Sequence, residues 1–257
     1  MPSHNMIQNA FIQEQGNGIL RHEEKLVVEA LLKKGIPCQF YTEKRIHRRQ
    51  LPLTRNSLVV GDMPCIYGAM KQLGIPIPAA NTYPKSLSSF MHRNVWQSTV
   101  GWLTRDIWEG TGKTVFAKPA DRQKVFTGQI FAVPYDLYSL HGVSHRQPII
   151  CSDPVKWLSE YRVYVCNDQI LSVDHYAGDR KIGPCRKTIE AAIFCLAKSG
   201  EGYSGYAIDF GVLESGETAL VEMNDGFAVG AYAIGAEDYT AMILARWEEL
   251  LRQIEDK

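Results

Sequence analysis

The sequence carries no excess of either charge, because its 28 lysine and arginine residues balance 28 aspartate and glutamate residues. A neutral chain has no general electrostatic attraction for nucleic acid or for a membrane surface, so neither partner is expected. No apolar stretch approaches the roughly 20 residues that a membrane-spanning helix needs. The first residues also lack a charged segment followed by an apolar one, so we expect no signal peptide and a cytoplasmic location.

Motifs that would indicate bound zinc, disulfides or a P-loop are also missing. The six cysteines show no Cys-x-x-Cys spacing, and several lie inside apolar runs, so we expect reduced core residues. The Gly-Thr-Gly-Lys run at 110–113 lacks the leading glycine of a P-loop. An apolar content of 45% is ordinary for a globular protein, and 257 residues suffice for one large domain or a few small ones.

Patterns typical of strands and helices alternate in the first third of the chain. Strands are predicted over 6–13, 37–41 and 57–62, and amphipathic helices over 20–34 and 64–73. Both helices end in a Gly-Ile-Pro tripeptide, where glycine suits the helix end and proline prevents continuation. This alternation predicts a small parallel sheet. The basic stretch 44–49 is interpreted as a solvated loop, with a local anion contact as the alternative.

Hairpins dominate after position 85. The predicted elements are a helix over 83–102, strands over 114–118, 129–133 and 148–151, hairpins over 160–176 and 206–224, and helices over 187–197 and 239–254. We therefore predict an α+β protein. A βα domain with a small parallel sheet would occupy residues 1–85, and antiparallel sheets with helices would occupy residues 86–257.

The hairpin near the end of the chain carries the strongest functional signal. A turn symmetric about its centre would pair position 213 with 218, 211 with 220, and Asp209 with Glu222. Asn224 would lie two residues further on the same face. Facing carboxylates repel unless a cation lies between them, and two carboxylates with an amide suit Mg²⁺. The alternative is a solvated outer face, and a three- or five-residue loop would separate the pair.

The opposite face of this hairpin is expected to form a core surface. Its members are the apolar residues Ile208, Phe210, Val212, Ala219, Val221 and Met223.

Lys118 is the second candidate. It ends a predicted strand just before Pro119 and a polar loop. Its ammonium, together with Lys124, Thr127 and the backbone at Gly128, has the chemistry to bind phosphate oxygens. The alternative is a surface lysine at a strand end.

A second hairpin supplies further polar candidates. Glu160, taken to begin its strand, and Arg162 share one strand face. Such an acid can accept ribose hydroxyls, and such an arginine can hold a transferring phosphoryl group or an anionic intermediate. The alternative is a cross-strand ion pair. The polar run 174–180, taken as the place where a strand meets a loop, offers candidate acceptor-site residues, namely His175, Tyr176, Asp179 and Arg180. For His175 the alternative is a hydrogen-bonded loop residue.

The order of these motifs resembles the ATP-grasp superfamily. The resemblance rests on Lys118 before proline, the acid-led hairpin, and the Asp, Glu and Asn at 209, 222 and 224, whose spacing is similar to that of carboxylate–amine ligases. The runs that end at Gly128 and Gly226 resemble a poorly characterised clade of bacteria and phages. The resemblance covers about residues 86–255. It implies an ATP-grasp fold with a central part near 113–150 and a metal-binding part near 151–257, preceded by a βα domain.

Roles for the nucleotide site follow from the resemblance. It implies that Lys118 contacts ATP phosphates, that the loop 120–128 covers the triphosphate, and that Glu160 binds ribose. Arg93 is the nearest match to the family's usual first lysine. The hinge that meets adenine matches Ser152, Asp153 and Val155.

The resemblance also implies a metal site and a reaction. Asp209, Glu222 and Asn224 match the Mg²⁺ ligands. The implied activity is an ATP-dependent carboxylate–amine ligase that forms an amide through an acyl phosphate. Its substrates would be a small-molecule or peptide carboxylate and an amine, which the sequence does not identify, and the oligomeric state is equally open. The alternatives are a phosphotransferase, a nucleotide-binding module without turnover, and a metal-binding hairpin without nucleotide.

Overall fold

The computed structural model describes residues 7–110, 113–120 and 125–253. The strands are β1 (Asn9–Gln13), β2 (Cys38–Tyr41), β3 (Ser57–Val60), β4 (Val95–Thr99), β5 (Val115–Pro119), β6 (Gln129–Phe131), β7 (Pro148–Ser152), β8 (Trp157–Cys166), β9 (Gln169–Gly178), β10 (Gly205–Leu213) and β11 (Thr218–Asp225). The helices are α1 (His22–Lys33), α2 (Glu43–His47), α3 (Met63–Leu73), α4 (Val100–Trp108), α5 (Arg186–Ser199) and α6 (Ala236–Arg252). Short 3-10 helices cover Lys85–Phe90, Pro134–Leu140 and Gly226–Ala228.

The N-terminal unit is a parallel sheet with strand order β2-β1-β3, as the alternating pattern predicted. The α3 helix ends at Gly74, whose φ of 75° only glycine adopts without cost. One prediction for this unit was wrong: residues 43–47 form α2 and not a solvated loop. The reason is Ile46, which is buried against α3 at Gly68, where even a Cβ would lie 3.1 Å from Ile46.

The predicted helix over 83–102 was also wrong. The chain there forms a 3-10 helix, then β4, and only then α4. The β-branched and aromatic residues of β4 pair with β7, so the strand preference prevails over the helical pattern. The α4 helix begins after Thr99, whose hydroxyl accepts a 3.2 Å hydrogen bond from the backbone nitrogen of Trp102.

Two antiparallel sheets follow the N-terminal unit. Their strand orders are β4-β7-β5-β6 and β11-β10-β8-β9. The hairpin of β8 and β9 turns at Asn167 and Asp168, which both have positive φ, as a two-residue hairpin turn requires. Together with the parallel sheet, these sheets confirm the predicted α+β class.

Three apolar cores hold the elements together. The first joins the N-terminal unit to α6, and the indole nitrogen of Trp247 donates a 2.9 Å hydrogen bond to the carbonyl of Ser57. The second lies between α5 and one face of the β11-β10-β8-β9 sheet. The third fills the space between α4 and the other antiparallel sheet. In the described ranges no helix is long and apolar enough to cross a membrane. The opposite face of the β11-β10-β8-β9 sheet carries the polar cluster described next.

Candidate nucleotide and acceptor site

The hairpin of β10 and β11 places Asp209 directly opposite Glu222, as predicted, and pairs Asn224 with Ala207. The pairing near the turn differs from the prediction: position 212 faces 218, 211 faces 219 and 210 faces 220. Only residues 214–216 lie between Leu213 and Glu217, which share a 2.9 Å backbone hydrogen bond. The loop is therefore one residue shorter than a symmetric four-residue turn.

A β-bulge restores the register that this shorter loop shifts. The pairing slips by one residue between Asp209 and Phe210, and the extra residue on the partner strand is Val221. Leu220 consequently packs beside Phe210 in the core, so the prediction of Val221 as a core residue was wrong. The bulge is what brings Glu222 opposite Asp209.

Arg93 holds this bulge in place. Its guanidinium donates hydrogen bonds to the carbonyls of Leu220 (2.6 Å) and Val221 (3.1 Å), and one to Met91 (3.0 Å). The same group lies 5.2 Å from the ring centroid of Trp157, and its burial lowers its pKa. The prediction that Arg93 sits in a helix was wrong, because it lies in the segment before β4.

Each of the two facing carboxylates is paired with a cation. Arg162 binds Asp209 through two hydrogen bonds, from Nε (2.8 Å) and Nη2 (2.7 Å). The side chains of this pair are only 11% and 2% exposed. Glu222 accepts a hydrogen bond from the Nζ of Lys118 and another, 3.1 Å long, from the amide of Asn224. The repulsion expected between facing carboxylates is thus offset by protein side chains.

The pKa shifts follow from these contacts. Burial raises the pKa of Asp209, and the hydrogen bonds from Arg162 oppose that shift. Burial would also raise the pKa of Glu222, but Lys118, Asn224 and Arg162 together hold it below its usual value. Although burial opposes the charged form of Lys118, Tyr83 and Glu222 raise its pKa. Both members of the Lys118–Glu222 pair therefore remain charged at neutral pH.

The predicted metal ligands differ in how accessible they are. Glu222 and Asn224 both line an open cavity, whereas Asp209 is covered by Arg162. Two carboxylates and an amide on one sheet face fit a hard divalent cation. Within the described part of the chain, no cluster of three or more His, Cys, Asp or Glu side chains is arranged to hold a metal, so the third ligand of such a set would be Asn224. Asp209 can join it only if Arg162 gives up part of its contact.

A cavity of about 320 Å³ lies between the two antiparallel sheets. Lys118 and Glu222 line one end, and the predicted hinge residues Ser152, Asp153 and Val155 line another part. The remaining wall is mostly apolar and includes Tyr83, Arg93, Phe116, Ile130 and Trp157. The cavity has the composition of a small-molecule site, with an apolar body and a few convergent polar groups.

Several predicted nucleotide residues have other contacts. The Asp153 carboxylate accepts two hydrogen bonds from Asn94, at 3.1 and 2.6 Å, and so fixes the start of β4. Thr127 is exposed, and Lys124 lies outside the described residues. Gly128 passes very close to Lys118, since a Cβ there would lie 3.0 Å from the lysine Cβ.

The predicted ribose-binding acid has a different setting from the one expected. Glu160 was predicted at a strand start, but β8 begins at Trp157, so that placement was wrong. The Glu160 carboxylate accepts a 2.9 Å hydrogen bond from Tyr176, whose ring stacks on Tyr232 at 5.1 Å. Arg162 lies within 5.9 Å of the Tyr176 ring, so Tyr176 belongs to the same face as the charged cluster.

The other predicted acceptor residues are not brought together. His175 lies inside β9, opposite Tyr161 and therefore on the other face of the sheet from Arg162. Its placement where a strand meets a loop was wrong, because β9 continues to Gly178. Asp179 accepts a hydrogen bond from the backbone of Lys181, and only the backbone carbonyl of Arg180 contacts Tyr161.

A larger cavity, of about 990 Å³, separates the charged cluster from the N-terminal unit. Arg162, Glu222 and Asn224 form one wall, and residues of α2 and α3 form the other. The carbonyl of Gly230, which also lines it, accepts hydrogen bonds from Arg162 (3.2 Å) and Tyr164 (3.1 Å). Sequence reasoning missed this contribution, because nothing in the run after Asn224 marks a carbonyl that orients an arginine.

The antiparallel sheets, the lysine at the end of β5 and the paired carboxylates together define a nucleotide-binding class. The chain matches an ATP-grasp domain, the second family of its clade, over residues 90–242. It therefore belongs to the ATP-grasp family, which confirms the resemblance drawn from its motifs.

Solved structures support the same fold. D-alanine–D-alanine ligase from Bacillus anthracis, solved with ATP, is 13% identical and covers 96% of this chain and 98% of its own, with a TM-score of 0.54. The macrocyclase MdnC from Microcystis aeruginosa MRC, bound to its precursor peptide MdnA, is 12% identical, with coverages of 92% and 99% and a TM-score of 0.54. D-cycloserine synthetase DcsG is 13% identical, with coverages of 93% and 99% and a TM-score of 0.57. No curated protein is significantly similar in sequence.

Proposed function

We propose that this protein is an ATP- and Mg²⁺-dependent carboxylate–amine ligase that releases ADP. One observation carries the proposal: Glu222 lines both the 320 Å³ cavity and the 990 Å³ cavity. A nucleotide in the smaller cavity and an acceptor in the larger one would meet at this carboxylate. Because the N-terminal unit closes the larger cavity, both parts of the chain contribute to the reaction site.

The nucleotide would lie with its base in the apolar part of the smaller cavity. Ser152, Asp153 and Val155 would form the adenine wall, and Glu160 would bind the ribose once Tyr176 turns aside. Lys118 would then lie at the phosphates, together with Lys124 and Thr127 of the following loop, while Arg93 supports the cavity wall. These assignments follow family position, and the lining of the cavity supports the hinge residues and Lys118.

The residues present fit a divalent cation at the end of the smaller cavity. Glu222 and Asn224 would hold it, with Asp209 joining when Arg162 turns toward a substrate anion. Bound Mg²⁺ would offset phosphate charge there. Until then, Lys118 and Arg162 keep the two carboxylates ionised and positioned.

The proposed reaction has two steps. An acceptor carboxylate oxygen attacks the γ-phosphorus, the bond to the β,γ-bridging oxygen breaks, and ADP leaves with that bonding pair. An amine then attacks the acyl carbon, inorganic phosphate departs with the acyl oxygen, and the amine proton passes to solvent. Lys118 and Arg162 would stabilise the charge that develops on the transferring group. One such group typically supplies about 3–4 kcal/mol.

Solved relatives support a carboxylate acceptor without identifying it. The Bacillus anthracis enzyme is a ligase of D-alanine that was solved with ATP, and MdnC was solved with a precursor peptide. We therefore infer either a small amino-acid-like acceptor or a peptide for this chain.

Product analysis tests the proposal. The protein is incubated with Mg-ATP and pools of amino acids and peptides, and ADP, free phosphate and new masses are measured. We expect stoichiometric ADP, free phosphate and an amide product. Phosphate retained on the acceptor would instead indicate a phosphotransferase, and tight ATP binding without hydrolysis in any pool would indicate a binding module. Either outcome would overturn the ligase assignment.

Matched variants assign the turnover to the site. Lys118→Met and Glu222→Gln should each abolish turnover while the chain remains folded. The control pair is Lys156→Met and Glu214→Gln, because Lys156 and Glu214 form an exposed ion pair of 2.6 Å on the surface. Full activity in a Lys118→Met and Glu222→Gln double variant would refute the proposed site.

A further inference from the structure

The wall of the 990 Å³ cavity that faces the charged cluster is basic. It is built by α2 and α3 and carries His47, Arg49 and Lys71. The carboxylate in the same wall, Asp62, is already committed. It accepts hydrogen bonds from Gln13 (2.9 Å), Arg21 (3.2 Å) and a backbone nitrogen at the start of α3.

The charge of Arg49 and Lys71 is not matched by the protein. Among residues 7–110, 113–120 and 125–253, the guanidinium of Arg49 and the ammonium of Lys71 have no hydrogen bond or ion pair. His47 differs, since its ring nitrogen lies 3.1 Å from Glu43. Two uncompensated cations therefore face the same water-filled space as Glu222.

The backbone at Arg49 is unusual in a way that favours this placement. Arg49 has a φ of 54°, a conformation that costs a residue with a side chain of the order of 1 kcal/mol and that glycine adopts freely. Its backbone nitrogen donates a 3.0 Å hydrogen bond to Ile46 and closes the end of α2. Glycine would close this turn at lower cost, so the arginine side chain is kept for another reason.

We propose that the acceptor carries a second anionic group, a carboxylate or a phosphate, which Arg49 and Lys71 bind. The reacting carboxylate would lie at the Glu222 end of the cavity and the second anion at the α2–α3 end. The identity of the reacting end rests on the proposed ligase function. Binding of the second anion does not, because it needs no turnover.

Binding of matched ligands tests this inference directly. The probes are a series of unbranched α,ω-dicarboxylates and acidic tripeptides, a series of terminally phosphorylated carboxylates, and the monocarboxylate of equal length for each. Affinity is measured by calorimetry on the full chain without ATP. We expect at least one dianion to bind about tenfold more tightly than its monoanionic partner, roughly the factor that two surface ion pairs supply together. Comparison of the series distinguishes carboxylate from phosphate.

A charge-matched pair of double variants supplies the control. Arg49→Gln with Lys71→Gln should remove the dianion preference. Lys44→Gln with Arg48→Gln removes the same charge from exposed positions next to the cavity and should preserve it. The inference is overturned if no dianion exceeds its monoanion, or if both double variants bind dianions equally. Failure of the ligase assay with a retained dianion preference would count against the proposed function alone.

Discussion

Replacing Arg93 by lysine distinguishes two roles for this arginine. Family position implies a cation that contacts ATP phosphates, and lysine would preserve that charge. The structure instead shows a fork that binds three carbonyls, two of them at the bulge before Glu222. A lysine ammonium cannot reproduce this planar fork. The substitution therefore keeps the charge and removes the geometry.

The expected cost follows from the lost hydrogen bonds. If the lysine keeps one of the three contacts, two charged hydrogen bonds are lost, at about 1.5 kcal/mol each, or about 3 kcal/mol in the free energy of unfolding. The carbonyls of Leu220 and Val221 lose their partner beside an apolar cavity, which discourages the bulged conformation. Without the bulge, the short loop would turn Glu222 away from Asp209. We therefore expect Mg-nucleotide affinity to fall together with stability.

Urea denaturation and calorimetric titration with a non-hydrolysable Mg-nucleotide measure the two effects. Arg105→Lys, at an exposed position on α4, is the matched control and should change neither quantity. The positional role is refuted if Arg93→Lys loses less than about 0.5 kcal/mol, the usual range of a neutral surface substitution, and binds the nucleotide normally.

Two other predictions concern the paired carboxylates. Arg162→Met should destabilise the chain by about 3–5 kcal/mol in urea denaturation, because it leaves the buried Asp209 without its partner, and adding Asp209→Asn should recover part of the loss; equal stability of the two variants would contradict this. Because the pKa of Glu222 is lowered in the folded state, its contribution to stability is present above its usual value of 4.5 and is lost as the pH falls below it. Glu222→Gln should therefore flatten the fall in unfolding free energy below that pH, and an unchanged slope would show that Lys118 does not stabilise the carboxylate.

Alternation along the chain was enough to predict the sheets and the facing pair. The apolar strands on both sides of the turn placed Asp209 and Glu222 on one face, and the structure agrees. The agreement has a different origin from the one assumed, since the prediction used a symmetric turn. The structure has a shorter loop and a compensating bulge, and the bulge depends on Arg93, which is distant in sequence. Local patterns do not encode such a contact.

The remaining errors have a common physical cause. Residues 83–102 carry a helical pattern, but strand pairing with β7 overrides it. The basic run in α2 looked solvated because only Ile46 turns inward, against a glycine in α3. The larger cavity has walls from both ends of the chain, so its basic side became visible only in three dimensions. Tertiary contacts, and not local preference, decided each case.

The packing of α6 on the N-terminal unit limits how this chain can be divided. Trp247 and its neighbours in the last helix complete the same apolar core as β1, β3 and α1. A fragment that stops before α6 would leave that core open to water, and one that starts after the parallel sheet would leave the last helix without a surface to cover. The first and last segments should therefore melt in a single cooperative transition, and exchanging the N-terminal unit with that of a relative would require exchanging the final helix as well.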